Sequence, residues 1–291
     1  MATANNITTT YIGKDSKQFI SPILTAGKTI GGGGLTIKNN VNYKQRITKL
    51  AMASLIQAES CDFDPTGTIT QTELWLTVKA LEVNLEICKS DYFNDFIGED
   101  MGPSGNLPSA FLSYLLGEIG ANVADALETM VWQGTAGTAA FAGLNTIISG
   151  GTSVTGVTAS SSTIIAEVRK MTAAANADVL AASDTYLYVS NASYQALREA
   201  FNDKNSASPC GENCMAVDGI KIFHAPGMKA SEMLIAQKSN LFFGTWANSE
   251  LQSVRVKDMS ELLEDNIRFA MKFFAGVQVG YVNEVVYYSV A

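Results

Sequence analysis

Hydrophobic and polar residues alternate along TITQTELWLTVKALEVNLEICKSDYF, where Ile69, Leu74, Leu76, Val78, Leu81, Val83, Leu85 and Ile87 mostly sit between polar neighbours. A period of two predicts a long β-strand with one buried face. The preceding RITKLAMASLIQAES reads as its partner strand rather than a helix, because DPTG at 64–67 has turn chemistry and joins the two into a hairpin. Such a hairpin projects, so its apolar face needs a cover from elsewhere.

The period then changes. Between 107 and 133, Leu112, Leu116, Ile119, Val123, Leu127 and Met130 recur three or four residues apart, and Gly134 follows as a stop. That pattern predicts a helix roughly 40 Å long at 1.5 Å per residue. A second helical face at 162–176 carries Ile165, Val168, Met171 or Thr172, and Ala175. Strand TYLYVS follows at 185–190, then a helix opening on Asn191, a favourable N-cap, with Tyr194, Leu197 and Phe201 on one side. GIKIFHA at 219–225, EMLIA and LFFGT complete an α/β block. The end of the chain is strand-rich, with Val277, Val279, Tyr281, Val285, Val286 and Tyr287, so the C-terminus is expected to be built into the fold. Residues 1–43 read differently: scattered apolar positions, Pro22 as a stop and four glycines at 31–34 predict an extended arm rather than core.

Composition sharpens this picture. The apolar share of the 291 residues, 47%, is ordinary, but only 16% are charged, against about 25% in a typical soluble domain. A net charge of −8 on so apolar a chain excludes a disordered polyelectrolyte and gives no overall basic footprint for a dedicated nucleic-acid binder. Between Glu128 and Glu167 a run of 38 positions carries no charge, which reads as a loop lying against neighbouring protein. MATANNITTTYIGKDSKQF lacks the basic and apolar regions of a secretory signal. The best candidate for a membrane span, FLSYLLGEIGANVADAL, is broken by Glu118 and Asp125. Synthesis in a cytoplasm is therefore expected, with Cys61, Cys88, Cys210 and Cys214 as thiols, and pairing of Cys61 with Cys88 across the hairpin left open.

Candidate chemistry is sparse. DFDPTGTITQTE places Asp62, Asp64, Thr66, Gly67, Thr68 and Glu73 on EF-hand positions, with Ile69 at the eighth. Thr66 stands where Asp or Asn is usual, Pro65 is foreign to such a loop, and the downstream flank alternates like a strand. A calcium loop (Asp62, Asp64, Thr66, Thr68, Glu73) and a plain β-turn with two solvated aspartates are the two readings. AGKT at 26–29 is half a P-loop, but Pro22 occupies the required first glycine. SPCGENC brings Cys210 and Cys214 together without a four-ligand set, since the only histidine, His224, lies in an apolar strand. No G-x-S-x-G elbow and no acid–base pair stand out, so neither a catalytic residue nor a cofactor is expected. Trp75, Trp132 and Trp246 read as anchors of packing or interfaces.

Arm, hairpin, long helix, α/β block and strand-rich end, in that order, resemble the major capsid proteins of tailed bacteriophages. Three stretches carry the resemblance: LWLTVKALEVNLEICKSDYFNDF, LETMVWQGTAGTAAFAGL, and NLFFGTWANSELQSVRVKDMSELLEDNIRFAMKFFAGVQVGYVNEVVYY. The resemblance implies an α+β, Hong Kong 97-type fold. It places an N-terminal arm at 1–43, an E-loop hairpin and return strand at 44–97, and a P-domain spine helix at 98–139. An A-domain would occupy 140–250, and P-domain strands 251–291. It further implies a non-enzymatic shell of pentamers and hexamers around double-stranded DNA in a virion assembled in a bacterial cytoplasm. Scaffold, portal and cement proteins would be separate chains. An encapsulin-type compartment shell shares the same fold, and the long arm leans toward the phage reading.

Overall fold

The computed structural model describes residues 8–12, 17–53, 56, 58–59, 67–88, 109–137, 141–204, 216–246, 253–259, 264 and 266–290. Its strands are β1 (Thr8–Ile12), β2 (Thr36–Lys38), β3 (Lys44–Ala53), β4 (Thr68–Thr77), β5 (Lys79–Cys88), β6 (Thr152–Gly156), β7 (Thr185–Val189), β8 (Ala216–Val217), β9 (Ile220–His224), β10 (Met233–Gln237), β11 (Leu241–Thr245), β12 (Ser253–Asp258), β13 (Asn266–Val279) and β14 (Val286–Val290). Its helices are α1 (Lys17–Ala26), α2 (Lys28–Gly31), α3 (Ser109–Gln133), α4 (Leu144–Ile148), α5 (Ile164–Ala174), α6 (Ala177–Ala181) and α7 (Asn191–Lys204).

Strand β13 organises the first sheet. Its odd-numbered residues Ile267, Phe269, Met271, Phe273, Ala275, Val277 and Val279 are all buried, the period-two signature of a sheet with one face on a core. It pairs antiparallel with β5 from Asn266↔Cys88 to Ala275↔Lys79, with β12 over 267–272, and with β11 over 275–279. β1 extends the sheet beyond β12, and β2 runs parallel to β11. Helix α3 supplies the other half of this core through Leu115, Ile119, Leu127, Val131 and Trp132. At 25 residues it is about 37 Å long, and Gly134 ends it, its N–H reaching the Met130 carbonyl at 2.9 Å.

The second sheet runs β6-β14-β10-β7-β9-β8. Ile164, Val168 and Met171 of α5 and Tyr194, Leu197 and Ala200 of α7 form one buried cluster with its strands. The cap of α7 falls one residue earlier than expected: Ser190 Oγ accepts from the Ser193 N–H at 3.4 Å, and Asn191 lies inside the helix. Sheet membership also departs from chain order. β11 belongs to the β13 sheet although it precedes 251, and β14 lies beside β10 in the α/β sheet although it follows 250. Backbone pairing, not sequence order, decides membership.

Two expectations are corrected here. Residues 17–43 are not an arm standing off the core: Ile20, Leu24, Ile30, Leu35 and Val41 are 1–4% exposed. Pro22 sits within α1 instead of stopping the chain. The glycine run closes a turn after α2, with Gly33 at φ +76° and Gly34 so close to Phe223 that a Cβ would lie 2.8 Å from its ring. Nor is the uncharged run simply a loop against a neighbour. Phe141, Leu144 and Ile148 are buried, and Thr152–Gly156 is paired strand.

Buried polar groups stitch these parts together. The Glu128 carboxyl on α3 accepts from the Thr29 N–H at 3.0 Å and from the Thr29 hydroxyl, which in turn accepts from Trp132 Nε1 at 2.9 Å. Tyr188 of β7 packs against Trp132 with the rings tilted by 51° (5.7 Å between centroids) and donates to the Gly34 carbonyl at 2.6 Å. In the second sheet, Tyr288 Oη donates to Val157 O at 2.7 Å and reaches Glu167 Oε2 at 3.1 Å, while Lys170 pairs with Glu167 at 2.7 Å. Burial first, then the hydrogen bond to Glu167 and its charge, push the Tyr288 phenol up to about 12 from 10.0. Burial likewise raises Tyr188, and burial with the Glu232 hydrogen bond raises Tyr287.

Two outcomes follow. Glu128→Ala leaves the buried Thr29 donors without an acceptor and lowers unfolding free energy by about 1–3 kcal/mol in urea titrations. Tyr288 stays neutral in the folded protein where an unfolded tyrosine ionises, so its contribution is intact below pH 10 and drains away as pH rises toward about 12. Denaturation midpoints measured over that window fall more steeply in the wild type than in Tyr288→Phe.

Candidate assembly surface

β3 and β4 form a hairpin of ten residue pairs, from Lys44↔Thr77 to Ala53↔Thr68. At about 3.4 Å per residue its arms extend about 34 Å. Its root is held firmly. Val41, Leu76 and Val78 make a small buried cluster, with Ile47, Phe242 and Phe274 packed against it. Gly244 of β11 admits Leu76 and Val78, whose side chains would stand 2.9 and 3.0 Å from a Cβ there. At the turn into the hairpin Tyr43 has φ 105°, a left-handed conformation unusual for a bulky residue, and its carbonyl accepts from the Val78 N–H at 3.0 Å.

Beyond the root the register sorts side chains between faces. Arg46 stands opposite Trp75, Thr48 opposite Glu73, Leu50 opposite Gln71 and Met52 opposite Ile69, all on one face. Arg46 Nη1 meets Glu73 Oε1 at 2.8 Å, a solvated pair. The apolar members of this face are open to solvent: Trp75 52%, Met52 53%, Leu50 56% and Ile69 66% exposed. Exposed large side chains gathered on one projecting element mark an interaction surface.

The expected hairpin is thus present, with RITKLAMA in strand and a cover for its apolar side chains still required. The single buried face is corrected. Leu74, Leu76 and Val78 hold the phase at the root, and the phase then shifts at the β4–β5 break, so that Leu81, Val83 and Ile87 face the α3 core. Leu50 and Met52 escaped the sequence reading, and Trp75 was expected as an anchor of packing or an interface without its face being known, because alternation identifies faces but not which one the root uses.

Other candidate residues do not converge. Thr68 and Glu73 lie in β4, where strand geometry spreads them along a ladder and Glu73 is engaged with Arg46. A calcium loop needs a helix at that flank. Asp62, Asp64, Thr66, the DPTG turn except Gly67, and Cys61, Cys210 and Cys214 fall outside the described residues. Cys88 ends β5, half-buried. His224 ends β9, stacked on Tyr194 (4.6 Å, 18°), with Nδ1 3.0 Å from Lys28 Nζ. Trp132 is fully buried, and Trp246 packs edge-on to Phe274 at 5.4 Å. Among the described residues no cluster of three or more His, Cys, Asp or Glu is placed to hold a metal. No described helix is long and apolar enough to cross a membrane.

A β13-centred sheet on a long helix, an α/β sheet sharing its core, and a hairpin projecting from the root define a Hong Kong 97-type fold. Solved structures carry the same arrangement over most of the chain. A subunit from the capsid of a native GTA particle matches with a TM-score of 0.62 at 13% identity, covering 88% of each chain. Mycobacterium phage Ogopogo matches at 0.61 and 13% identity, covering 91% of this chain and 92% of its own. The satellite phage P4 procapsid, which includes a size-determination protein, matches at 0.57 and 11%, covering 94% and 99%. No protein-family model and no curated protein matches the sequence.

Replacing Leu50, Met52 and Ile69 together with Thr removes little intramolecular packing, since all three are more than half exposed, and it sets no like charges opposite one another at the Met52↔Ile69 pair. Unfolding free energy should stay within about 0.5 kcal/mol of wild type for each such surface change, as read by thermal or urea denaturation.

Proposed function

We propose that this chain is the major capsid protein of a tailed bacteriophage, assembling as pentamers and hexamers into an icosahedral shell around double-stranded DNA. One observation carries the reading. The chain matches capsid subunits over about nine-tenths of its length and displays, on a hairpin, apolar surface that its own fold leaves open. On this reading 44–97 serves as the E-loop, α3 as the spine helix, and the α/β sheet with β14 as the A-domain. The β13 sheet with β11 is the P-domain. The role is structural rather than catalytic, and assembly takes place in the bacterial cytoplasm with separate scaffold and portal proteins, and cement proteins where present.

Physics favours this division of labour. A closed symmetric shell repeats a few interfaces many times, so modest contact per copy suffices. The hairpin gives each copy a long lever with an apolar end, and the exposed Arg46–Glu73 pair beside it limits unselective stickiness.

Sedimentation velocity tests the proposal with the triple Thr variant of Leu50, Met52 and Ile69. Wild-type protein should run as capsomers or shells, and the variant as folded single subunits. Wild-type protein that stays monomeric across concentrations, or a variant that assembles equally well, overturns it. Shells isolated from infected or expressing cells that contain protein cargo instead of DNA would favour a compartment shell.

A further inference from the structure

We propose that the solvent face of β12 and β13 holds the phosphate backbone of duplex DNA, with Arg255 and Lys257 as the contacting residues and Arg268 and Lys272 beside them. The inference rests on the capsid reading for its ligand, and on the register of the sheet for its site.

Pairing places these side chains on one surface. Lys257 is directly opposite Arg268, Arg255 opposite Ala270, and Lys272 opposite Ser253. On the far side of β13, Glu86 is opposite Arg268, and Glu82 opposite Lys272. The two β13 cations are accordingly neutralised. Arg268 meets Glu86 at 3.1 Å and Glu264 at 3.0 Å, and Lys272 meets Glu82 at 3.4 Å. No described carboxylate pairs with Arg255 or Lys257, both exposed, and the TTTYI strand beyond them adds no charge. The face therefore grades from acidic at β5 to uncompensated positive charge at β12.

Two features point away from a purely structural role. Like charges directly opposite one another destabilise a sheet, yet Lys257 is set across from Arg268. Moreover, in a chain that carries −8 as a whole, Arg255 and Lys257 set two exposed cations without a described carboxylate two residues apart on one strand. Side chains two apart on β12 stand about 6.8 Å from each other, a spacing that presents cations in a row along one edge. Between 266 and 272 the described side chains that β5, β13 and β12 present on this face include Asn84, Ala270 and Ser253 but no large apolar anchor of the kind that peptide partners use. Charge complementarity without anchors suits a uniform polyanion read through its backbone.

Fluorescence anisotropy of the full chain with a labelled 30-base-pair duplex (about three helical turns), repeated at several salt concentrations, tests the site. The comparison variants are Arg255→Glu/Lys257→Glu, the conservative Arg255→Lys/Lys257→Arg, and Lys221→Glu/Lys229→Glu, which makes the same charge change on exposed positions of the α/β half. The β12 reversal should weaken binding by about tenfold or more at low salt. It should also flatten the log K–log[salt] slope by about two units, close to 0.9 for each phosphate no longer neutralised. The conservative pair should retain binding, and the control pair should lose far less. No salt-dependent binding by wild type, or equal losses in both reversals, overturns the site. So does a β12 variant that keeps DNA affinity but no longer assembles, because the face would then belong to a subunit interface. A chain that binds DNA through this face yet never assembles would instead count against the capsid reading alone.

Discussion

Every residue of a fourteen-residue strand brings a backbone donor and acceptor that must be paired where the strand is buried, and β13 meets that demand with three partners at once. β5 takes ten of its positions, β12 six and β11 five. Because the side-chain period is two, this register also commits seven alternate residues to the core under α3. The hairpin depends on the same register. β5 begins at Lys79 opposite Ala275, Val78 separates it from β4, and by that break β4 leaves the sheet and projects. Slip β13 by one residue and the core face and the hairpin root both fail.

Polar contacts then join what the sheets leave separate. Glu128 ties the 27–34 segment to the long helix, and Tyr188 carries that link into the α/β sheet through Gly34. The hydrophobic cluster follows the same route, since Tyr188 and Leu234 of the second sheet pack in the same core as Trp132. Buried acceptors of this kind are costly when unpaired and specific when paired. The two sheets thus share one core, and among the described residues the hairpin gathers Leu50, Met52, Ile69 and Trp75 as exposed apolar side chains on one face.

Much of this was legible in the chain. Alternation at Leu74 and Leu76 marked the hairpin, the three-and-four spacing from Leu116 to Met130 marked α3, and β-branched runs marked β13 and β14. The N-terminal segment was not legible, because Ile20, Leu24, Ile30, Leu35 and Val41 lie too far apart for any one periodicity, and only tertiary contacts gather them. Pro22 and the 31–34 glycines reinforced the misreading, since local signals cannot foresee that Phe223 needs glycine beneath its ring. Low charge was a sound clue given too simple a cause. Part of the uncharged run is core, at Phe141, Leu144 and Ile148, and the clearest uncovered apolar surface is on the hairpin instead. The candidate assembly surface was half legible: the sequence predicted an apolar hairpin face in need of a cover, but not that Trp75, Leu50, Met52 and Ile69 would share it.

On the capsid reading proposed above, a hairpin with its apolar side chains open to solvent requires a neighbouring copy of this chain to cover it. An image reconstruction of particles formed by the purified protein puts that requirement to the test. The expected result is a closed shell in which each hairpin lies against an adjacent copy, with Leu50, Met52, Ile69 and Trp75 covered. Particles whose hairpins stand free in solvent, or a preparation holding only dispersed single subunits at every concentration, would refute it.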